Sequence, residues 1–184
     1  MSAEPGGQGT RAGRLGPPLR SEERGVLRGS IFEVVSARLT LPSGVTQDLL
    51  VVEHPGAVAI AAVTAAGELV LVRQYRHAAR EVLLELPAGR LEPGESPLDA
   101  ARRELAEETG HRAQRWRALA TFLTAPGFCS ERIHLFEARE LEPVPRRLDP
   151  DEDLEVVVLP PERVLAEARD AKTLLAASWL LLGR

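Results

Sequence analysis

The chain has 184 residues, of which 44% are hydrophobic and 27% are charged, and its formal net charge is −4. This composition is typical of a folded globular protein, and the net negative charge excludes a general basic field that would attract nucleic acid or anionic membranes. The single cysteine, Cys129, excludes an intramolecular disulfide and an all-cysteine metal site. With no apolar leader and no apolar run of membrane-spanning length, the sequence predicts a cytoplasmic protein.

The N-terminal residues, 1–25, are rich in Gly, Pro, Arg and Glu and nearly lack large apolar side chains, so we expect a flexible tail before one domain over 26–184. Next, IFEVVSARLTL and QDLLVVEH flank a Pro-Ser-Gly turn, and AVAIAAVT and ELVLVRQY flank an Ala-Ala-Gly turn. These patterns predict two hairpins. AVAIAAVT is apolar on both alternations, which predicts a central strand that is covered on both faces.

The rest of the chain contains further predicted strands and the closing helices. EVLLELPAG predicts a short strand, and WRALATFLT, RIHLFEARE and EVVVLP predict three more. The closing PERVLAEARDAKTLLAASWLLL predicts one or two helices that begin at a Pro-Pro pair. Strands therefore dominate, with helices in the middle and at the end, which predicts a mixed sheet with helices packed against it.

The middle helix lies within GRLEPGESPLDAARRELAEETGH, residues 89–111. Ser96 can cap a helix through its side chain, Pro97 suits the first helical position, and Gly110 suits the left-handed residue after the last turn. These signals predict a helix over 97–109.

Three glutamates give this helix its unusual charge. At about 100° per residue, Glu104, Glu107 and Glu108 border the apolar stripe, so they should lie at the rim of a cleft. Glu104 and Glu108 are also like charges four residues apart, which costs about 0.2–0.5 kcal/mol. We expect an Asp99–Arg103 pair to offset part of this repulsion and a divalent cation to offset more, since carboxylate oxygens suit Mg²⁺ and Mn²⁺. A solvated, salt-bridged helix face is the alternative.

The spacing of the charged residues and glycines resembles the Nudix hydrolase signature at every fixed polar and glycine position. The matching positions are Gly89, Glu95, Arg103, Glu104, Leu105, Glu107, Glu108 and Gly110. His111 departs, because the family usually has an aliphatic residue there. The resemblance implies an α+β (α/β) fold, the Nudix α/β/α sandwich with a mixed β-sheet, here with an additional N-terminal β-hairpin region. It also implies Mg²⁺- or Mn²⁺-dependent hydrolysis of a small nucleoside diphosphate derivative.

The same resemblance implies roles for individual residues. The implied metal ligands are oxygen atoms of the backbone carbonyl of Ala88 and of the side chains of Glu104, Glu107 and Glu108. Arg103 and Glu95 would orient these ligands and, with Glu107, belong to the catalytic set. A general base would come from the acidic loop LDPDEDLE, which offers Asp149, Asp151, Glu152, Asp153 and Glu155. We favour Glu152, and a base inside the glutamate helix is the alternative.

The substrate class is suggested by segments outside the helix. Pro126 lies sixteen residues beyond Gly110, where Nudix ADP-ribose pyrophosphatases typically carry proline, and the adjoining Gly127 begins a segment that resembles their loop and next strand. An ordinary turn proline is the alternative. Arg76 matches a position that often contacts substrate phosphate or ribose, with Arg73 and Arg80 as rivals and surface salt bridges as the alternative for each.

Together these segments imply hydrolysis of ADP-ribose to AMP and ribose 5-phosphate. Such enzymes are usually homodimers, so we expect residues 29–53 at a dimer interface. Two other hypotheses stay open. One is a Nudix hydrolase of another nucleoside diphosphate derivative, such as a different sugar nucleotide, a dinucleotide or an oxidised nucleotide. The other is a module that senses ADP-ribose without turning it over.

Overall fold

The computed structural model describes residues 16–148, 150 and 152–183, and the chain divides into two compact units, one up to Glu53 and the other from His54. The first unit contains three antiparallel strands in the order β1–β2–β3: β1 (Arg20–Arg28), β2 (Glu33–Thr40) and β3 (Thr46–Glu53). β2 and β3 are the first predicted hairpin, and Gly44 adopts the left-handed conformation in its turn, with φ of 82°.

Strand β1 overlaps the segment that we expected to be a flexible tail. Residues 20–25 of that segment pair with β2 in a regular antiparallel register, while residues 1–15 lie outside the described residues. Every residue of β1 is exposed within the chain, so main-chain hydrogen bonds rather than buried apolar side chains define this strand. A sequence pattern based on hydrophobicity therefore gives no sign of it.

The described part of the second unit is a seven-stranded mixed sheet with helices on both faces. Its elements are β4 (Ala57–Val63), β5 (Leu69–Arg76), β6 (Glu81–Glu85), β7 (Ala88–Arg90), α1 (Pro97–Thr109), β8 (His111–Leu123), β9 (Arg132–Pro143), β10 (Leu154–Leu159), α2 (Pro161–Glu167) and α3 (Ala171–Leu181). The main strand order is β10–β5–β4–β9–β8, with β6 beside β5 and β7 beside β4. Only the β4–β9 pair among them is parallel.

Strand β4 is the central strand that the sequence predicts. Val58 and Ile60 pack on one face with Leu105 of α1, and Ala59 packs on the other with Val164 of α2. The sheet is thus covered on both faces, which confirms the predicted α/β/α sandwich. No helix among the described residues is long and apolar enough to cross a bilayer.

Candidate active site

Helix α1 has the bounds that the sequence predicts, because both of its ends are capped by local signals. The Ser96 hydroxyl accepts a hydrogen bond from the backbone N–H of Asp99 at 3.2 Å, and Pro97 occupies the first helical position. At the other end, Gly110 is left-handed with φ of 69° and donates to the Ala106 carbonyl at 3.0 Å. These caps fix which side chains of α1 face the sheet.

Two of the three glutamates on α1 are removed from water. Glu104 is 7% exposed and Glu108 is 3% exposed, and they lie beside the helix residues Ala101 and Leu105, which are fully buried. The side chain of Glu107 is 36% exposed. The prediction that Glu104 and Glu108 border the apolar face agrees with this placement.

Strand β7 brings its backbone directly against these two carboxylates. The backbone N–H of Ala88 donates to Oε2 of Glu108 at 3.0 Å. A methyl group at Gly89 would overlap the Glu104 carboxyl group, with Oε2 only 2.6 Å away, so only glycine leaves that carboxyl group where it is. Because Ala88 pairs with Ala59 of β4, the central sheet holds β7 in this position.

Burial raises the pKa of both carboxylates in the protein without a bound cation. Removal from water raises the pKa of Glu108 to about 8; the charges of Glu104 and Glu152 add to this effect, and the Ala88 N–H opposes it. Burial also raises the pKa of Glu104, although Arg103 opposes the shift. The charge of Glu152, from the acidic loop, adds to the rise in pKa at both carboxylates.

Arg103 connects the carboxylates of the signature segment, residues 89–110, which we call the box. Its guanidinium forms a fork to Glu95, with Nε to Oε1 at 3.0 Å and Nη2 to Oε2 at 2.9 Å. Its Nη1 donates to Glu104 at 2.6 Å and to Glu107 at 3.1 Å. The hydrogen bonds from Arg103 hold the pKa of Glu95 below its ordinary value. Arg103 and Glu95 therefore lie where they can fix the direction of the ligand side chains.

The expected Asp99–Arg103 pair is wrong. Asp99 accepts instead from Arg102, at 3.2 Å, on the exposed side of α1. The guanidinium of Arg103 is drawn to the other side because Glu95 offers it a two-oxygen partner, which a single i,i+4 contact does not match.

Arg76 is the last residue of β5. Its guanidinium forms a fork to the buried Glu85 of β6, at 2.7 and 3.1 Å, and Glu85 also accepts from Nζ of Lys172 at 2.6 Å. The charge of Arg76 also lowers the pKa of Glu108. The sequence analysis identified neither Glu85 nor Lys172, although Lys172 is the sole lysine of the chain.

The other predicted substrate residues lie on the sheet face that α2 covers and in the turn after β8. Arg73 forms ion pairs with Glu155 at 3.9 Å and Glu167 at 3.5 Å, on the sheet face that α2 covers, so it is not brought together with the α1 carboxylates. Pro126 and Gly127 are exposed at the turn between β8 and β9.

The acidic loop is fastened to α1 by Arg146. Its Nε donates to the Glu108 carbonyl at 2.7 Å, and its Nη2 donates to the Leu154 carbonyl at 2.9 Å, which joins the end of α1 to the start of β10. Asp149 and Asp151 lie outside the described residues. This link holds the start of β10, two residues after Glu152, to the end of α1.

The donor atoms fit a hard divalent cation, although its ligands are not gathered into one cluster. Across residues 16–148, 150 and 152–183, no three His, Cys, Asp or Glu side chains converge as a metal-binding group. Arg103 holds Glu104 and Glu107, and the Ala88 N–H holds Glu108. Two buried carboxylates with raised pKa values beside β7 nevertheless offer the oxygen ligands that Mg²⁺ and Mn²⁺ prefer.

Comparison with known proteins identifies the family. The NUDIX domain model matches residues 53–177, well over half of the chain. The chain belongs to the Nudix family. Nudix hydrolases generally use divalent metal ions, and residues 53–177 include all of the box, from Gly89 to Gly110.

Relatives of this Nudix protein match most of its length. It is 40% identical over 164 residues to the ADP-ribose pyrophosphatase of Bacillus subtilis strain 168, covering 85% of this chain and 89% of that one. It is 37% identical, over the same shares, to the methanol dehydrogenase activator of Bacillus methanolicus. A crystal structure of an ADP compounds hydrolase superimposes with a TM-score of 0.77 at 28% identity, covering 92% of this chain and 94% of that one. The chain is a Nudix pyrophosphohydrolase, and its resemblance to the ADP-ribose pyrophosphatases is confirmed.

Proposed function

We propose that this Nudix pyrophosphohydrolase hydrolyses ADP-ribose to AMP and ribose 5-phosphate. The observation that carries the proposal is the pair of buried carboxylates, Glu104 and Glu108, which lie against β7 and of which Glu108 is within the electrostatic influence of Arg76. The name of the Bacillus subtilis relative, which matches 85% of this chain, supports the choice of substrate.

The proposal assigns Mg²⁺ or Mn²⁺ to these oxygen atoms. The proposed ligands are the Ala88 carbonyl and the side chains of Glu104 and Glu108, with Glu107 as a further or water-mediated one. When bound, the cation supplies screening of the diphosphate charge and activation of a water. Arg103 holds Glu104 and Glu107 in place through its own fork to Glu95, so ligand geometry depends on residues that never touch the cation.

Glu152 is the proposed general base. Its carboxylate would accept a proton from the water that attacks phosphorus, and the proposal is supported by the effect of its charge on the pKa of both Glu104 and Glu108. A Glu152→Gln variant should lose about 10²–10⁴-fold in kcat, the usual contribution of general base catalysis. The neighbouring Asp153 is exposed, so Asp153→Asn is the matched control and should retain activity. Equal effects of both changes would remove Glu152 from the mechanism.

Substrate recognition is proposed to involve Arg76 on the diphosphate and the exposed turn at Pro126 and Gly127 on another part of the substrate. We also propose that residues 26–184 form one domain and that the protein is a homodimer with residues 29–53 at its interface. A cytoplasmic location is the last part of the proposal. Solution scattering tests the assembly: a dimeric mass is expected, and a monomer at enzyme working concentrations would contradict it.

Steady-state AMP release from ADP-ribose tests the function. Other sugar nucleotides, dinucleotides and oxidised nucleotides serve as competing substrates, with Mg²⁺ and Mn²⁺ tried separately. ADP-ribose should give the highest kcat/KM, and Glu108→Gln should abolish turnover. Faster hydrolysis of another compound would favour the alternative Nudix activity. Binding of ADP-ribose without AMP release under either metal would favour the sensing module.

A further inference from the structure

A buried charge cluster lies where the end of β5, β6 and the start of α3 meet. It consists of four side chains: Arg76, Glu85, Asp170 and Lys172. The Lys172 ammonium donates to Oε2 of Glu85 at 2.6 Å and to Oδ1 of Asp170 at 2.9 Å. The side chains of Lys172 and Glu85 are 12% and 4% exposed, whereas that of Arg76 is 41% exposed. Lys172 is therefore enclosed between two carboxylates, and Arg76 forms the open side of the cluster.

The cluster contains two positive and two negative side chains, so its formal net charge is zero. Burial would raise the pKa of Glu85, but bonds from Arg76 and Lys172 together hold it below the ordinary value. Oδ2 of Asp170 is buried and has no hydrogen-bond partner among the described residues. An uncompensated buried charge is costly. Without Lys172, the Arg76 guanidinium would therefore have to compensate the charges of both Glu85 and Asp170.

Other bonds already hold α3 in place. The Thr173 hydroxyl accepts the backbone N–H of Leu86 at 2.9 Å, and Asp170 caps the helix by accepting the N–H of Thr173 at 3.2 Å. Neither bond involves the Lys172 ammonium. The lysine charge therefore has a consequence that fastening α3 does not explain, namely its effect on the partners of Arg76.

We propose that Lys172 is a positioning residue for Arg76: by neutralising Glu85 and Asp170, it leaves the Arg76 guanidinium directed at the diphosphate beside Glu108. This inference rests on the proposed function for the identity of the ligand. It assigns no contact between Lys172 and substrate. Arg76 already forms a fork to Glu85, and removal of the lysine charge should draw its guanidinium further toward Asp170 and away from the cleft.

A double-mutant cycle separates this role from a purely structural one. Lys172→Met should raise KM for ADP-ribose about tenfold with kcat nearly unchanged, the pattern expected when substrate binding is lost uniformly. Lys172→Arg, which keeps the charge, should restore most of the loss. In an Arg76→Gln background, Lys172→Met should have little further effect on KM. Additive effects of the two substitutions would overturn the proposal.

A second measurement needs no turnover. Phenylglyoxal modifies accessible arginines, and peptide mass spectrometry reports the rate at Arg76 separately. Lys172→Met should slow modification of Arg76, and Lys172→Arg should return it to the wild-type rate, with thermal melts confirming that each variant is folded. An unchanged rate in Lys172→Met would overturn the positioning role. Absence of AMP release by the wild-type protein would instead contradict the proposed function. The modification rate of Arg76 would then still test the positioning role of Lys172.

Discussion

Replacing Gly89 by alanine should displace a proposed metal ligand without altering any side chain of the box. The new methyl group would lie 2.6 Å from Oε2 of Glu104 and closer still to the other atoms of that carboxyl group, whereas ordinary contacts begin at 3.4 Å. Gly89 does not have a left-handed φ, so the backbone itself accepts alanine. The flexible end of Glu104 must therefore retreat, by more than about 1 Å, a shift that can cost on the order of 10²-fold in rate.

The assay is AMP release from ADP-ribose at saturating Mn²⁺, alongside thermal denaturation. Gly89→Ala should lower kcat by about 10²-fold, while the lost Arg103–Glu104 bond destabilises the fold by only about 1–2 kcal/mol. Gly16→Ala is the control, since a methyl group there meets nothing within 4 Å. Wild-type kcat in Gly89→Ala would refute the reasoning, because Glu104 could then move without consequence.

Two further predictions concern stability. In metal-free protein, Glu108→Gln should be more stable than wild type above pH 8 and as stable as wild type below pH 4.5. The pKa of Glu108 is about 8 in the folded protein and 4.5 ordinarily, so the wild type loses stability as pH rises from 4.5 to 8. At about 1.4 kcal/mol per pH unit, the gain has a ceiling of about 5 kcal/mol; denaturant melts in chelator measure it, and a pH-independent difference would contradict the pKa assignment. Thr173→Val should cost about 1–3 kcal/mol, because the Leu86 N–H loses its partner. Thr173→Ser keeps the hydroxyl and should recover most of that loss; equal melting of both variants would show that the bond is unimportant.

Features that depend on neighbouring residues could be predicted from the sequence. The bounds of α1 follow from Ser96 and Gly110, whose effects act within one turn of the helix. The burial of β4 follows from an unbroken apolar run, which only a strand covered on both faces can use. The border position of Glu104 and Glu108 follows from helical periodicity alone.

Features that depend on distant parts of the chain could not be predicted. Lys172 and Glu85 are separated by 87 residues, and only the packing of α3 beside β6 brings them together. The choice of Glu95 over Asp99 as the partner of Arg103 depends on how the loop before α1 folds back toward the helix. Nothing in the local pattern of either pair indicates the contact.

The central claim is that Glu104, Glu108 and the Ala88 carbonyl hold a divalent cation against the substrate diphosphate. A crystal of the protein with Mn²⁺ and ADP-ribose, with data collected at the manganese absorption edge, tests this most directly. The account predicts an anomalous peak within coordination distance of both carboxylates and of a phosphate oxygen. A manganese ion bound elsewhere, with Glu104 still held by Arg103 and Glu108 by the Ala88 N–H, would contradict it.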